Sequence, residues 1–142
     1  MKRSPLLVLA YALGLSSCGS PGEAAKTDYD RMQGMWSVMA WETKGEPPPD
    51  EPFEKLRVEI AGDRLVFHED QTKYVLTFVL NPAASPKTID LQRKDEPPMP
   101  GIYELDGDTL KVCFNKGKER PKEFSIDGEG TRTLFVLKRQ KS

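Results

Sequence analysis

The sequence predicts an all-β protein, a small antiparallel up-and-down β-barrel of about eight or nine short strands. Three observations support this prediction. Apolar and polar residues alternate over short stretches, turn-forming residues separate these stretches at even intervals, and little room is left for a long helix. Because a meander of this many strands removes its exposed edges by closing on itself, a barrel is favoured over a two-sheet sandwich.

Each predicted strand is an alternating or apolar stretch bounded by turn residues. The strands are predicted at residues 35–43, 56–60, 65–68, 73–80, 88–92, 101–105, 109–115, 123–126 and 133–139. Gly and Asp turns between the second and third strands and between the sixth and seventh indicate tight hairpins. Proline-rich stretches at 45–52 and 94–100 are predicted to be loops, because proline cannot donate a ladder hydrogen bond.

The alternation also predicts which side chains face the interior. In the first strand, Trp36, Val38 and Ala40 share one face, whereas the other face carries Met35, Met39 and Trp41. The residues predicted to point inward are Val38, Leu56, Val58, Ile60, Leu76, Phe78, Leu91, Val112, Phe114 and Leu134. An eight-stranded barrel is just wide enough to be filled by side chains or to hold one small ligand, and short strands favour a filled or shallow interior.

The N-terminal residues predict export and a lipid anchor. Two basic residues precede an apolar run over 6–15, which is shorter than the roughly 20 residues that span a bilayer. The run leads through Ser-Ser to Cys18, in a pattern that resembles a bacterial lipobox. We predict a lipoprotein signal peptide at 1–17, a lipidated cysteine and flexible tether at 18–31, and the barrel domain at 32–142. The expected location is a cell-envelope membrane, facing the periplasm or the outside; an ordinary cleaved signal and a transmembrane anchor are the alternatives.

Composition excludes several classes of function. The net charge is −1 and acidic and basic residues are interspersed, so no basic surface for nucleic acid is expected. The chain has two cysteines, and if Cys18 carries lipid, Cys113 is left without a disulfide partner. Cys113 lies in an apolar strand pattern and is predicted to be a buried, inert thiol.

No constellation of catalytic or metal-binding residues is visible in the sequence, so we expect neither an enzyme nor a cofactor. His68 is the sole histidine, and it is predicted on the outer face of its strand. One histidine excludes a multi-histidine zinc site. The Asp106 to Asp108 segment lacks the further ligands of a calcium loop and is predicted to be a hairpin turn.

Gly34, Met35 and Trp36 at the first strand resemble the Gly-x-Trp signature of lipocalins. In that family the tryptophan packs at the closed end of the barrel, and a basic residue near the last strand stacks across it. The resemblance implies a barrel-closing pair of Trp36 and Arg139, since a guanidinium over an indole face is a favourable cation–π arrangement.

The chain also resembles an uncharacterised lipocalin-like family that is abundant in planctomycete bacteria. The matching stretches are 32–36, 86–91, 101–110, 113–114, 117–121 and 133–139. They cover essentially the whole domain, with Met35 as a minor departure. The resemblance implies the fold, and the family offers no established activity or catalytic residues to carry over.

Two functions are compatible with these features. One is an envelope interaction or structural module with a filled barrel, whose loops contact a protein partner. The other is a carrier for a small apolar or amphipathic ligand, with Trp36, Phe78 and Phe114 near the ligand. Lys118 and Arg120 then lie at the rim of the barrel and contact an anionic ligand or a partner; the alternative is a turn in which Arg120 pairs locally with acidic residues.

Overall fold

A computed structural model describes residues 21–45, 56–69, 71–128 and 130–140. Within these ranges the chain forms one helix and eight strands, and the strands close into a barrel. The elements are α1 (Pro21–Met32), β1 (Gly34–Thr43), β2 (Leu56–Ala61), β3 (Arg64–Glu69), β4 (Thr72–Asn81), β5 (Thr88–Gln92), β6 (Met99–Asp106), β7 (Thr109–Asn115) and β8 (Arg132–Arg139). Every strand is antiparallel to the next, and β1 pairs with β8. The predicted small antiparallel up-and-down barrel is therefore confirmed.

Several predicted features fall outside the described residues. These are the signal peptide at 1–17, Cys18 and most of the proline-rich loop at 45–52. In the part of the chain that the structure covers, no helix combines the length and the apolar character needed to cross a membrane.

Two tight hairpins depend on glycine. The turns between β2 and β3 and between β6 and β7 each contain a glycine with a positive φ, 61° at Gly62 and 60° at Gly107. Because residues with a Cβ rarely adopt this left-handed backbone, glycine permits the two-residue connections that set the strand register.

The predicted ninth strand at 123–126 is wrong. The described part of the connection between β7 and β8 is irregular, with Ser125 N donating to Glu123 O (2.9 Å) and Asp127 N donating to Ser125 Oγ (3.1 Å). Cys113 Sγ donates to Ser125 O (3.5 Å), so this connection lies against the outer face of β7. Its short apolar stretch therefore covers the barrel wall instead of joining it.

A β-bulge in β1 reverses the predicted orientation of Trp41. The register against β8 shifts between Val38 and Ala40, and Met39 is exposed. One additional residue in a strand turns the residues that follow to the opposite face. Trp41 consequently lies on the inner side and stacks on Phe135, with ring centroids 5.3 Å apart.

A continuous core fills the barrel. The largest fully buried side chains are Trp36, Tyr103, Phe78 and Phe135. All but one of the residues predicted to point inward belong to this core or pack against it. The exception is Leu134: in β8 the neighbouring Phe135 is buried in the core, whereas Leu134 is only partly buried and outside it. The apolar run 134–137 does not alternate, so the sequence alone could not decide its inner face.

The flexible tether predicted at 18–31 requires a correction, because the chain is helical from residue 21. The end of α1 contributes to the core: Met32 is fully buried, and Tyr29 packs against the core residues. The domain that folds therefore includes α1 as well as the eight strands.

Candidate functional site: the two ends of the barrel

The topology gives the barrel two different ends. We call the end that carries α1 the closed end; the β2–β3, β4–β5 and β6–β7 connections lie there as well. The opposite end, called the mouth, carries the other four connections. Any site that uses the barrel interior has to open at one of these ends.

Arg139 joins three elements at the closed end. Its Cζ lies 4.4 Å from the centroid of the Trp36 ring, which is the arrangement that the sequence predicted. Its Nη1 donates to Gln33 O (2.7 Å), and its Nη2 donates to Arg31 O. Its Nε lies 3.3 Å from Asp108 Oδ1 in the β6–β7 turn. The guanidinium thus ties the end of β8 to β1, to α1 and to a hairpin.

Side chains at the closed end also satisfy carbonyl groups at the C-terminal end of α1. The last carbonyls of a helix have no partner inside the helix. Trp36 Nε1 donates to Met32 O (2.9 Å), and Gln33 Nε2 donates to Tyr29 O (2.8 Å) and to Gly62 O (3.1 Å). A positive charge at this position also interacts favourably with the negative end of the helix dipole. The Trp36 and Arg139 pair is therefore a device that holds α1 on the barrel.

A buried carboxylate holds the other side of α1. Asp28 Oδ2 accepts a hydrogen bond from Tyr103 Oη (2.6 Å), and Lys87 Nζ lies 3.1 Å from the same oxygen. Arg31 Nη1 lies 3.6 Å from Asp28 Oδ1. Burial, followed by the hydrogen bond to Asp28, raises the pKa of Tyr103 well above its ordinary value of 10.0. Asp28 therefore links α1 to Tyr103 of β6 and to Lys87 in the β4–β5 connection.

Tyr29 binds a part of β4 that β3 does not reach. Its ring stacks on Phe78 with centroids 5.2 Å apart. Its hydroxyl donates to Phe78 O (3.3 Å) and accepts from Leu80 N (3.1 Å). A side chain of α1 therefore replaces a missing sheet neighbour at the closed end.

Aromatic rings fill the interior below the mouth. Trp41 stacks on Phe135, and Phe67 meets both rings edge-on at centroid distances of 5.7 and 5.9 Å. Phe114 lies 6.1 Å from Phe135. Edge-to-face and stacked pairs at such distances are favourable, so this half of the interior is a packed cluster.

The three aromatic residues predicted near a ligand do not share one site. Trp36 lies at the closed end under Arg139, and Phe78 packs against Tyr29 of α1. Phe114 belongs to the cluster below the mouth. All three are buried in the core. Their common role in the structure is packing.

The predicted cationic rim is also not assembled. Arg120 Nη1 donates to Gly101 O (2.8 Å) and lies 2.8 Å from Asp90 Oδ1, on the outer wall of the barrel. The alternative prediction was local pairing with Glu119, Glu123 or the acidic loops, whereas the acidic partner of Arg120 is Asp90 of β5. Lys118 is exposed on the same connection. Arg120 therefore fastens the β7–β8 connection over β5 and β6.

His68 and Cys113 are the remaining residues whose side chains could take part in chemistry, and both belong to strands of the barrel wall. His68 lies on the outer face of β3, with Nε2 3.1 Å from Glu59 Oε1. Cys113 is buried, and burial raises the pKa of its thiol. Among the described residues, no group of three or more His, Cys, Asp or Glu side chains could hold a metal ion.

Three residues of α1 that complete the closed end were not predicted from the sequence, namely Asp28, Tyr29 and Met32. One signal could have found them. Ser20 is followed by proline and then by Glu23, which is the Ser-x-x-Glu spacing of a helix start with proline at the first helical position. The polar composition of this stretch, which favours a tether, obscured that signal.

The two ends together define a small lipocalin-like barrel that a helix closes at one end and whose interior holds a core of buried aromatic and aliphatic side chains. Comparisons of the chain with protein-family models, curated proteins and solved structures found no match.

Proposed function

We propose that this chain is a membrane-anchored lipoprotein of the cell envelope, whose filled barrel serves as a non-enzymatic interaction or structural module. The observation that carries the proposal is the packed interior. Large buried side chains follow one another from Trp36 and Tyr103, near the closed end, to Phe135 below the mouth. An interior occupied in this way leaves the outer surface and the loops to contact a protein partner.

The sequence supports the anchor. The charged start, the apolar run over 6–15 and the lipobox-like residues before Cys18 are the pattern of an exported lipoprotein. Stable anchoring takes about two acyl chains, each buried CH₂ contributing roughly 0.8 kcal/mol. The resemblance to the lipocalin-like family of planctomycete bacteria adds support for the fold of the module.

The anchor is tested by replacing Cys18 with serine and fractionating cells that express the full chain. The variant is expected to leave the membrane fraction, and the matched control Cys113→Ser, which alters the only other cysteine, is expected to remain there. A Cys18→Ser protein that still pellets with membranes contradicts the lipid anchor.

The filled interior is tested by native mass spectrometry of the full chain carrying Cys18→Ser, purified without detergent. The expected result is the bare protein mass, unchanged after addition of fatty acids. An additional mass that is lost on denaturation contradicts the filled barrel.

The second candidate function is a carrier of a small apolar or amphipathic ligand. One observation favours it: Tyr74 pairs with the inward-facing Phe67, yet 48 % of its surface is exposed at the mouth. A ligand bound here would stabilise the fold by RT ln(1 + [L]/Kd), so a rise in melting temperature with added fatty acid distinguishes this function from the first.

A further inference from the structure

One half of β4 has a sheet neighbour on one side only. β3 pairs with residues 72–77 of β4, whereas β5 pairs with residues 77–81. Residues 72–76 are therefore bonded to β3 but have no strand of the barrel on the β5 side. We call this stretch the β4 edge.

The direction of the main-chain groups along β4 follows from three hydrogen bonds. Phe78 N donates to Asp63 O (2.9 Å) next to β3, and Phe78 O and Leu80 N bond to Tyr29 on that same side. Since consecutive residues of a strand point their N–H and C=O groups to opposite sides, even-numbered residues of β4 face β3. Lys73 and Val75 then direct their N–H and C=O groups to the open side.

The chain that follows β5 turns away from this open side. Gln92 is the last residue of β5, opposite Thr77. Beyond it, Glu96 N donates to Arg93 O (3.1 Å), and Gln92 Nε2 donates to Glu96 O (2.9 Å), which forms a local turn. The chain then returns as β6, on the far side of β5. Within the described ranges, no main-chain hydrogen bond reaches Lys73 or Val75 from the open side.

The side chains of the β4 edge have a distinct pattern. Arg57, His68 and Lys73 are paired in register across β2, β3 and β4 on the outer face, so a row of basic residues leads to the edge. Val75 lies on the same face and is 47 % exposed, and Tyr74 on the other face is 48 % exposed. The edge thus offers a cation, an aliphatic group and an aromatic ring in consecutive strand positions.

We propose that the β4 edge binds an extended segment of a partner protein as an added antiparallel strand, with an acidic residue opposite Lys73 and an apolar residue opposite Val75. An exposed sheet edge is a template for strand addition, in which main-chain bonds give affinity and alternate side chains give selectivity. This inference rests on the proposed function as an interaction module and names the class of its partner.

The charges favour an acidic peptide over a second copy of the chain. Antiparallel pairing of two β4 edges over their full length would place each Lys73 opposite Val75 of the second copy, so that no acidic group meets the ammonium. A lysine on an edge strand ordinarily discourages unselective pairing. Opposite a glutamate or aspartate, the same lysine becomes a cross-strand ion pair and selects the partner.

The open edge is tested first by residue-resolved amide hydrogen exchange on the full chain. The amides of Lys73 and Val75 are expected to exchange faster than those of Tyr74 and Leu76, which face β3 in the same strand. Equal protection at all four amides shows that the edge is covered, and it overturns the inference.

The partner chemistry is tested with seven-residue synthetic peptides of alternating pattern. One carries glutamate opposite Lys73 and valine opposite Val75, and the control peptide carries lysine in place of the glutamate. The first is expected to bind and to protect the amides of Lys73 and Val75 selectively. Lys73→Glu is expected to weaken its binding about tenfold and to favour the lysine peptide instead, because opposite charges attract and like charges repel across strands. The control Lys138→Glu, on β8, should leave binding unchanged.

A backbone variant separates strand addition from charge attraction. Val75→Pro removes the N–H that faces the open side and leaves the bonds from β4 to β3 in place, so peptide binding should be lost while the fold persists. Val75→Thr keeps the N–H and should retain binding. Absence of binding to the glutamate peptide, binding insensitive to Val75→Pro, or dimers of the chain with protected edge amides would each overturn the inference. A bound small molecule in native mass spectrometry would instead contradict the filled barrel, independently of the β4 edge.

Discussion

Replacing Arg139 with alanine is expected to lower the free energy of unfolding by about 3 kcal/mol. The side chain donates to the carbonyls of Gln33 and Arg31, stacks on Trp36 at 4.4 Å and pairs with Asp108. A hydrogen bond to a charged group contributes roughly 1.5–3 kcal/mol, and a partly exposed cation–π contact roughly 0.5–1 kcal/mol. The side chain is 27 % exposed, so the lower values apply and the ion pair adds little.

Urea unfolding followed by tryptophan fluorescence measures the effect. Arg139→Lys is expected to recover less than half of the loss, because an ammonium group cannot bond two carbonyls and stack on an indole at the same time. The matched control is Arg93→Ala, which removes an exposed ion pair with Glu96 and should change stability by less than about 0.5 kcal/mol. An Arg139→Ala protein as stable as the Arg93→Ala protein would refute the role of the guanidinium in holding α1.

Three other outcomes are expected. Burial raises the pKa of Tyr103 above its unfolded value near 10.0, so the contribution of Tyr103 to the free energy of unfolding is complete below that pH and falls by about 1.4 kcal/mol per pH unit above it. The urea midpoint of Tyr103→Phe should therefore decrease less steeply with rising pH than that of the unchanged protein, and equal slopes would contradict this. Asp28→Ala should cost about 2–4 kcal/mol by leaving Tyr103 and Lys87 unpaired, whereas exposed Asp30→Ala should be nearly neutral by the same measurement. Gly101→Ala should cost about 1–3 kcal/mol in thermal unfolding, since its Cβ would lie 2.8 Å from a neighbouring carbonyl oxygen. Unchanged stability would show that the neighbouring strands move to accommodate the added methyl group.

Local alternation predicted the fold well where one face of a strand is buried. In β2, Val58 and Ile60 are buried and the charged residues Arg57 and Glu59 beside them are not, as the sequence pattern required. The Gly-x-Trp resemblance likewise placed Trp36 opposite Arg139 correctly. Both partners of this contact can be recognised locally in the sequence, one as a tryptophan in the first strand and the other as a basic residue at the end of the last.

Features that depend on pairing between distant segments could not be predicted. The inward position of Trp41 follows from a register shift against β8, and no residue near Trp41 signals that shift. Asp28 is buried because Tyr103, 75 residues away, supplies its hydrogen bond, so its polar neighbours in sequence were misleading. The β4 edge likewise depends on where β5 ends relative to β3.

The bonds from Arg139 to α1 also have a consequence for the order of folding. They join residues 106 and 108 positions apart, so the earliest of the described elements is completed by the last residue of β8. An isolated helix of twelve residues is marginal in water, and contacts across such separations form only after the intervening chain is ordered. We therefore expect α1 to dock last during folding and to detach first during unfolding. A chain that ends just before Arg139 would then present an open-ended barrel, with the inner side chains at the closed end accessible to chaperones and proteases.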